Sequence, residues 1–239
     1  MYYFYLLLFF YAFISSFYLY KKNFNNFDKL ISFVFQQILK YLSYEIESYD
    51  ETLLPSKLII ISSHTSIYDF IIGTFVYYAY LHGKYDTYVL MKKEFEKICS
   101  PLLVFFDKKF KLISVNSTKK IENHVSLGLT DTICNSLKEK NNYILYISPE
   151  GTRKCTDKLR SGYWSISKTL NVDVMYLGID FSSKKIFLEK PRKVEDLWDD
   201  EKNIFINSCK KYIPMYPERC YWTKDFYFPK IYIFFTIIK

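Results

Sequence analysis

The sequence predicts an α/β layered domain with a mostly parallel central sheet flanked by helices and preceded by an N-terminal membrane helix. From Leu53 onward, apolar runs of strand length alternate with helical patterns, which is typical of parallel sheets whose crossovers are helices. Residues 1–20 carry no charged side chain. With 239 residues, the chain is long enough for one domain with a sizeable core.

The first segment, residues 1–22, is predicted to be a membrane anchor, either single-pass or monotopic. As a helix, residues 1–20 would span about 30 Å, the thickness of the hydrocarbon core of a bilayer. Lys21 and Lys22 follow directly, so the positive-inside rule places the rest of the chain in the cytosol, at the endoplasmic reticulum in a eukaryote. A cleaved signal peptide is less favoured, because no basic segment precedes the apolar run and no small-residue cleavage site follows it.

The second segment, residues 23–50, is predicted to form an amphipathic helix. Apolar side chains recur at helical spacing between Phe27 and Leu42, and polar and charged side chains occupy the opposite face. Two interpretations stay open. The helix either lies in the membrane interface beside the anchor or packs against the domain.

The main α/β domain is predicted between residues 51 and 213. Its expected strands are Lys57–Ser62, Tyr85–Met91, Leu112–Val115, Tyr143–Ile147 and Val174–Phe181. Its expected helices are Ile67–Tyr80, Glu94–Phe106, Lys119–Lys140 and Gly162–Leu170. Residues 214–239 form a C-terminal tail whose short apolar run, Ile231–Ile238, fits an edge strand or a second membrane contact.

Composition and charge exclude several classes of protein. Half of the residues are hydrophobic, which excludes a disordered chain. The net charge is +8, but the sequence contains no Gly-rich phosphate loop and no zinc finger, so we expect anionic lipid headgroups rather than nucleic acid as partners. The five cysteines are odd in number, widely spaced and without a Cys-x-x-Cys pair, so neither a disulfide framework nor a metal site is predicted.

A histidine and an aspartate follow the first expected strand of the domain. His64 comes just after the strand, where α/β sheets place reactive groups, and histidine accepts a proton near neutral pH. A carboxylate at its far nitrogen would fix the tautomer and stabilise the imidazolium. Asp69 can reach it only if His64 lies in the loop and Asp69 in the first turn of the next helix. Ser66 and Asp69 also fit a helix capping box, and the two roles are compatible.

A second group of residues follows the expected strand Tyr143–Ile147, in the turn Pro149–Arg153 (PEGTR). Gly151 permits a tight turn and the close approach of a ligand, and Arg153 offers a planar fork for phosphate oxygens. Taken alone, such a segment is usually only a turn. In a parallel sheet, however, both strand ends open on the same edge, so His64 and Arg153 would face one cleft.

Together the two motifs, in this order, resemble those of the glycerolipid acyltransferase family over roughly residues 57–181. That family acylates glycerol-3-phosphate, lysophosphatidic acid and other lysophospholipids by direct transfer. The resemblance implies that His64 is the general base, that Asp69 orients it, and that a phosphate pocket is shaped by Glu150, Gly151, Thr152 and Arg153. It also implies no cofactor. The co-substrate would be acyl-CoA or acyl-carrier protein, and the acceptor a lysophospholipid, above all 1-acylglycerol-3-phosphate.

Two adjacent positions depart from the pattern of the family. The family commonly has an Asp-Arg pair at the end of a strand between the two motifs, where this chain has Asn116 and Ser117. Lys93 and Lys119 are the expected sources of the missing positive charge. The departure keeps open a second function, that of a non-catalytic, membrane-bound lipid-binding protein. A Ser-His-Asp hydrolase is not favoured, because the sequence has no Gly-x-Ser-x-Gly elbow.

Overall fold

A computed structural model gives the fold of the chain and describes residues 27–47, 49–92, 110–115 and 128–220. The predicted membrane anchor, the predicted helix Glu94–Phe106 and the apolar run Ile231–Ile238 lie outside these residues, as do Lys93 and Lys119. Among the described helices, none has both the length and the apolar character that crossing a membrane requires.

The described residues form a sheet of seven strands, of which all neighbouring pairs but one are parallel. The strands are β1 (Glu45–Glu47), β2 (Lys57–Ile61), β3 (Asp86–Lys92), β4 (Phe110–Val115), β5 (Tyr143–Ile147), β6 (Asp173–Asp180) and β7 (Lys185–Leu188). Their spatial order is β1-β7-β6-β2-β5-β3-β4, and only β6 and β7 are antiparallel. The mostly parallel sheet predicted from the sequence is therefore confirmed.

Helices cover both faces of this sheet. The described α-helices are α1 (Phe27–Tyr41), α2 (Ile67–Val76), α3 (Leu129–Leu137), α4 (Gly162–Leu170) and α5 (Trp198–Cys209). Shorter helical turns are the π-helical turn Tyr77–Leu81 and the 3₁₀ turns Glu51–Leu53 and Pro217–Arg219.

The central strand β2 shows how the core is divided. Its side chains alternate between the two faces of the sheet, as in any strand. Leu58 and Ile60 belong to the cluster that α1 and α2 cover, whereas Ile59 and Ile61 belong to the cluster that α3, α4 and α5 cover. All four are at most 1% exposed. A continuous apolar run is what a strand buried on both faces requires, and the layered architecture is therefore confirmed.

Helix α1 packs on the domain, which was one of the two interpretations of its amphipathic pattern. Ile31 and Leu39 are buried, and the Phe35 ring stacks on Tyr78 with centroids 4.7 Å apart. The Gln36 side-chain amide donates a hydrogen bond to the Ala79 carbonyl at 3.1 Å. The outer face of α1 still exposes apolar side chains, of which Phe33 is 57% exposed.

Some elements differ from the expectation. The helix predicted over Ile67–Tyr80 is α-helical only to Val76 and continues as the π-helical turn to Leu81. Of the helix predicted over Lys119–Lys140, the described part is α3. Strands β1 and β7 and helix α5 were not predicted. β1 and β7 are only three and four residues long, too short for a readable alternation.

Candidate active site

The two predicted strand-to-loop junctions lie side by side. Strands β2 and β5 are parallel neighbours, with Ile61 paired to Ile147 at their carboxyl ends. The backbone N–H of Ser62 continues the pairing by donating to the Ile147 carbonyl at 3.4 Å. The loops that carry His64 and Glu150 therefore leave the same edge of the sheet, as the sequence predicted.

The first loop ends in a capped helix. The Ser66 hydroxyl is the N-cap of α2 and accepts hydrogen bonds from the backbone N–H groups of Tyr68 and Asp69, at 3.1 and 3.3 Å. In return, Oδ2 of Asp69 accepts from the backbone N–H groups of Thr65 and Ser66, at 2.6 and 2.7 Å. This reciprocal capping box fixes the Asp69 carboxylate under the loop.

His64 faces that same carboxylate. Its Nδ1 lies 3.6 Å from Oδ2 of Asp69, which is longer than a hydrogen bond but within ion-pair range. The His64 side chain is 27% exposed and that of Asp69 only 9%. The imidazole is therefore open to a substrate while its partner is shielded. Asp69 caps the helix and faces the histidine at once, so the geometry is compatible with both of the roles that the sequence left open.

Glu150 joins the second loop to the first. Its Oε1 accepts a hydrogen bond from the backbone N–H of His64 at 3.2 Å, across 86 positions of sequence. Glu150 is 7% exposed, and burial, with a smaller contribution from the charge of Asp69, raises its pKa to about 8. Its Oε2 is buried and has no hydrogen-bond partner among the described residues. At neutral pH this carboxyl is therefore mostly protonated.

The rest of the second loop is a tight turn beneath an arginine. Gly151 has φ +61°, a conformation that side chains disfavour, and its N–H donates to the Ser148 carbonyl at 3.0 Å. A Cβ on Gly151 would lie 2.9 Å from Nε of Arg160, so the Arg160 guanidinium packs directly over the glycine. Thr152 and Arg153 follow in the same loop and are half-buried.

A residue that the sequence did not single out also reaches this edge. Arg219, in the 3₁₀ turn Pro217–Arg219, donates a hydrogen bond from Nη1 to the Thr65 carbonyl at 2.8 Å. Its guanidinium carbon lies 4.1 Å from the centroid of the Tyr216 ring. The contact spans 154 positions, and no local sequence signal could have revealed it.

The next residue, Cys220, is buried in the same place. It is 2% exposed, and burial raises the pKa of its thiol, as do the nearby carboxyl groups of Glu150 and Asp69 when they are ionised. The four cysteines of the described residues are all free thiols, and of these Cys155 is exposed. No three His, Cys, Asp or Glu side chains are grouped as metal ligands in the part of the chain that the structure describes.

Comparison with known families fits this geometry. The family model described as Acyltransferase matches residues 45–179, which is 135 of the 239 residues. The chain belongs to the glycerolipid acyltransferase family. No curated protein and no solved structure matches it. The acyltransferase match contains His64, Asp69 and the Pro149–Arg153 turn and ends before Arg219, and the resemblance based on the two motifs is confirmed.

Proposed function

We propose that this chain is a membrane-attached O-acyltransferase of phospholipid biosynthesis or remodelling. It moves a fatty acyl group from acyl-CoA or acyl-carrier protein to the hydroxyl of a lysophospholipid, above all 1-acylglycerol-3-phosphate. The observation that carries the proposal is the His64–Asp69 pair in a chain of the acyltransferase family. The His64 side chain is partly exposed, whereas the Asp69 carboxylate is largely buried.

His64 is the general base of the proposed reaction. Asp69 lies on the Nδ1 side, so Nε2, across the ring, takes the proton from the acceptor hydroxyl. The hydroxyl oxygen attacks the thioester carbonyl, the new C–O bond forms and the C–S bond breaks. The proton then passes from His64 to the leaving thiolate, which gives the acylated lipid and the free thiol. Asp69 stabilises the imidazolium while it holds the proton.

Protonation of Glu150 supports this division of roles. Because its carboxyl is mostly neutral at pH 7, Asp69 supplies the negative charge that stabilises the imidazolium. A neutral Glu150 also does not repel the phosphate of an anionic acceptor. Its contact with the His64 backbone makes it a positioning residue for the base.

Charge and hydrophobicity support an anionic lipid as acceptor. Glu150, Gly151, Thr152 and Arg153 shape the proposed phosphate pocket in the second loop, with Arg153 as its main cation. Lys93 and Lys119 remain predicted sources of further positive charge for this pocket. Residues 1–22 attach the enzyme to the bilayer in this proposal, and the exposed apolar face of α1 adds a further contact from the cytosolic side.

A second candidate function is a lipid-binding protein without catalysis. The observation that favours it is Asn116 and Ser117, where the family commonly has an Asp-Arg pair. The arrangement of His64, Asp69 and Glu150 argues for the enzyme, since binding alone does not require a histidine paired with a shielded carboxylate.

Acyl transfer by the full chain, reconstituted in lipid vesicles, tests the proposal. Labelled acyl-CoA and acyl-carrier protein are offered in parallel with a panel of lysophospholipids that differ in headgroup. We expect labelled diacyl product with at least one acceptor, and the highest kcat/KM with 1-acylglycerol-3-phosphate. Binding of lysolipid-containing vesicles without transfer to any acceptor would establish the lipid-binding alternative instead.

A further inference from the structure

The turn after α5 contacts the first loop of the proposed active site. Arg219 bonds to the carbonyl of Thr65, the residue next to His64, at 2.8 Å. Cys220 is buried within electrostatic reach of both Glu150 and Asp69. Arg219 therefore contacts the first of the two loops that carry the site, and the next residue lies within the electrostatic influence of a carboxyl from each loop. Arg219 and Cys220 both lie beyond residues 45–179, which the family model matches.

The Arg219 guanidinium is held in place but remains able to bind. Tyr216 packs against its face at 4.1 Å, and stacking on a face leaves the N–H groups along the edge of the guanidinium plane available. One of its five N–H donors goes to Thr65. Arg219 is an exposed residue, so further donors can reach a ligand from solvent.

The charge of the proposed acceptor favours a second cation in the site. A phosphomonoester carries about −1.5 to −2 charges at pH 7, more than one guanidinium neutralises. Arg153 lies in the second loop, after Glu150, whereas Arg219 contacts the first loop beside His64. A phosphate bound between the two loops would adjoin the loop that carries Arg153 and the Arg219 guanidinium beside the His64 loop, so the glycerol hydroxyl of the acceptor could lie near the imidazole.

We propose that Arg219 is a phosphate-binding residue that selects a phosphorylated acceptor. The inference rests on the proposed acyl transfer and names the class of acceptor that the site takes, a lysolipid whose phosphate is a terminal monoester. In this arrangement, Arg219 acts on acceptor binding and leaves the chemistry of His64 and the binding of the acyl donor unchanged.

Steady-state kinetics of Arg219→Met and Arg219→Lys, in the full chain in vesicles, test the inference with 1-acylglycerol-3-phosphate as acceptor. We expect Arg219→Met to raise the KM for this acceptor roughly 10- to 100-fold, the range that hydrogen bonds to charged groups provide. The KM for acyl-CoA and the kcat at saturating acceptor should change little. Arg219→Lys should recover part of the loss, because it keeps the charge without the fork.

The matched control removes a positive charge elsewhere. Lys138 is exposed at the C-terminal end of α3, which leads to the start of β5, at the opposite edge of the sheet. Lys138→Met should leave the acceptor KM, the acyl-CoA KM and kcat unchanged.

Four results would overturn the inference. If Arg219 only fastens the His64 loop, both Arg219 variants would lower kcat and the melting temperature alike, with no benefit from lysine. If Arg219 binds the phosphates of the donor, the KM for acyl-CoA would rise instead. An unchanged acceptor KM in Arg219→Met would exclude any role in binding. A wild-type chain that transfers to no acceptor would refute the proposed function itself, and this inference with it.

Discussion

Glu150 provides the sharpest thermodynamic prediction, because it is a carboxyl buried where water cannot solvate its charge. It is 7% exposed, its Oε1 accepts from the His64 backbone, and its Oε2 has no hydrogen-bond partner among the described residues. Burial raises its pKa from 4.5 to about 8. Replacement by glutamine keeps the shape and the acceptor oxygen but removes the titration.

The sign of the effect follows from proton linkage. Between these two pKa values the folded chain holds a proton on Glu150 that the unfolded chain has lost, so stability falls as the pH rises. Each pH unit within that window is worth about 1.4 kcal/mol. Between pH 5 and pH 7, the free energy of unfolding of Glu150→Gln should therefore gain roughly 2–3 kcal/mol relative to that of the wild type.

Urea unfolding of the full chain in detergent micelles, followed by tryptophan fluorescence from pH 5 to pH 8, measures this difference. Glu139→Gln is the matched control, because Glu139 is exposed between α3 and β5. The free energy of unfolding of this variant should follow that of the wild type across the pH range. If the curves of Glu150→Gln and the wild type run parallel over the whole range, Glu150 is not a buried neutral acid, and the account of the site's charges is wrong.

Two further substitutions probe the loops themselves. Ser66→Ala removes the N-cap hydroxyl that accepts hydrogen bonds from the backbone N–H groups of Tyr68 and Asp69. We expect a loss of about 1 kcal/mol in the free energy of unfolding, measured in urea. We also expect a lower kcat in the transfer assay, because the cap positions the Asp69 carboxylate. Gly151→Ala forces an L side chain to φ +61° and places its Cβ 2.9 Å from Nε of Arg160, so we expect a loss of at least about 1–2 kcal/mol; a melting temperature equal to that of the wild type would contradict this turn geometry.

The parts of the fold that the sequence predicted are those with strong local periodicity. Strand Tyr143–Ile147 and helix Gly162–Leu170 have the predicted bounds, because each carries its own apolar pattern. Helix α5 was not predicted, because charged residues interrupt the apolar pattern of its sequence. Glu201, one of its acidic residues, is fully buried and pairs with Arg192 at 2.8 Å, so a charged residue occupies a core position.

The site was predictable where two loops of neighbouring parallel strands carry its residues. The motifs containing His64, Asp69 and Glu150 follow β2 and β5, and the rule that such strand ends share an edge placed them together. Arg219 was not predictable, because its approach to Thr65 depends on how the chain returns after α5. The protonation of Glu150 was equally hidden, since it depends on burial rather than on residue type.

The turnover of His64→Ala tests the assignment of the general base. With labelled acyl-CoA and the best acceptor of the panel, we expect kcat to fall by about 10²–10⁴-fold, the usual contribution of a general base. The acceptor KM, vesicle binding and melting temperature should stay close to those of the wild type, because His64 is partly exposed and the loop is held through backbone groups. A His64→Ala chain that turns over as fast as the wild type would contradict the assignment of His64 as the base.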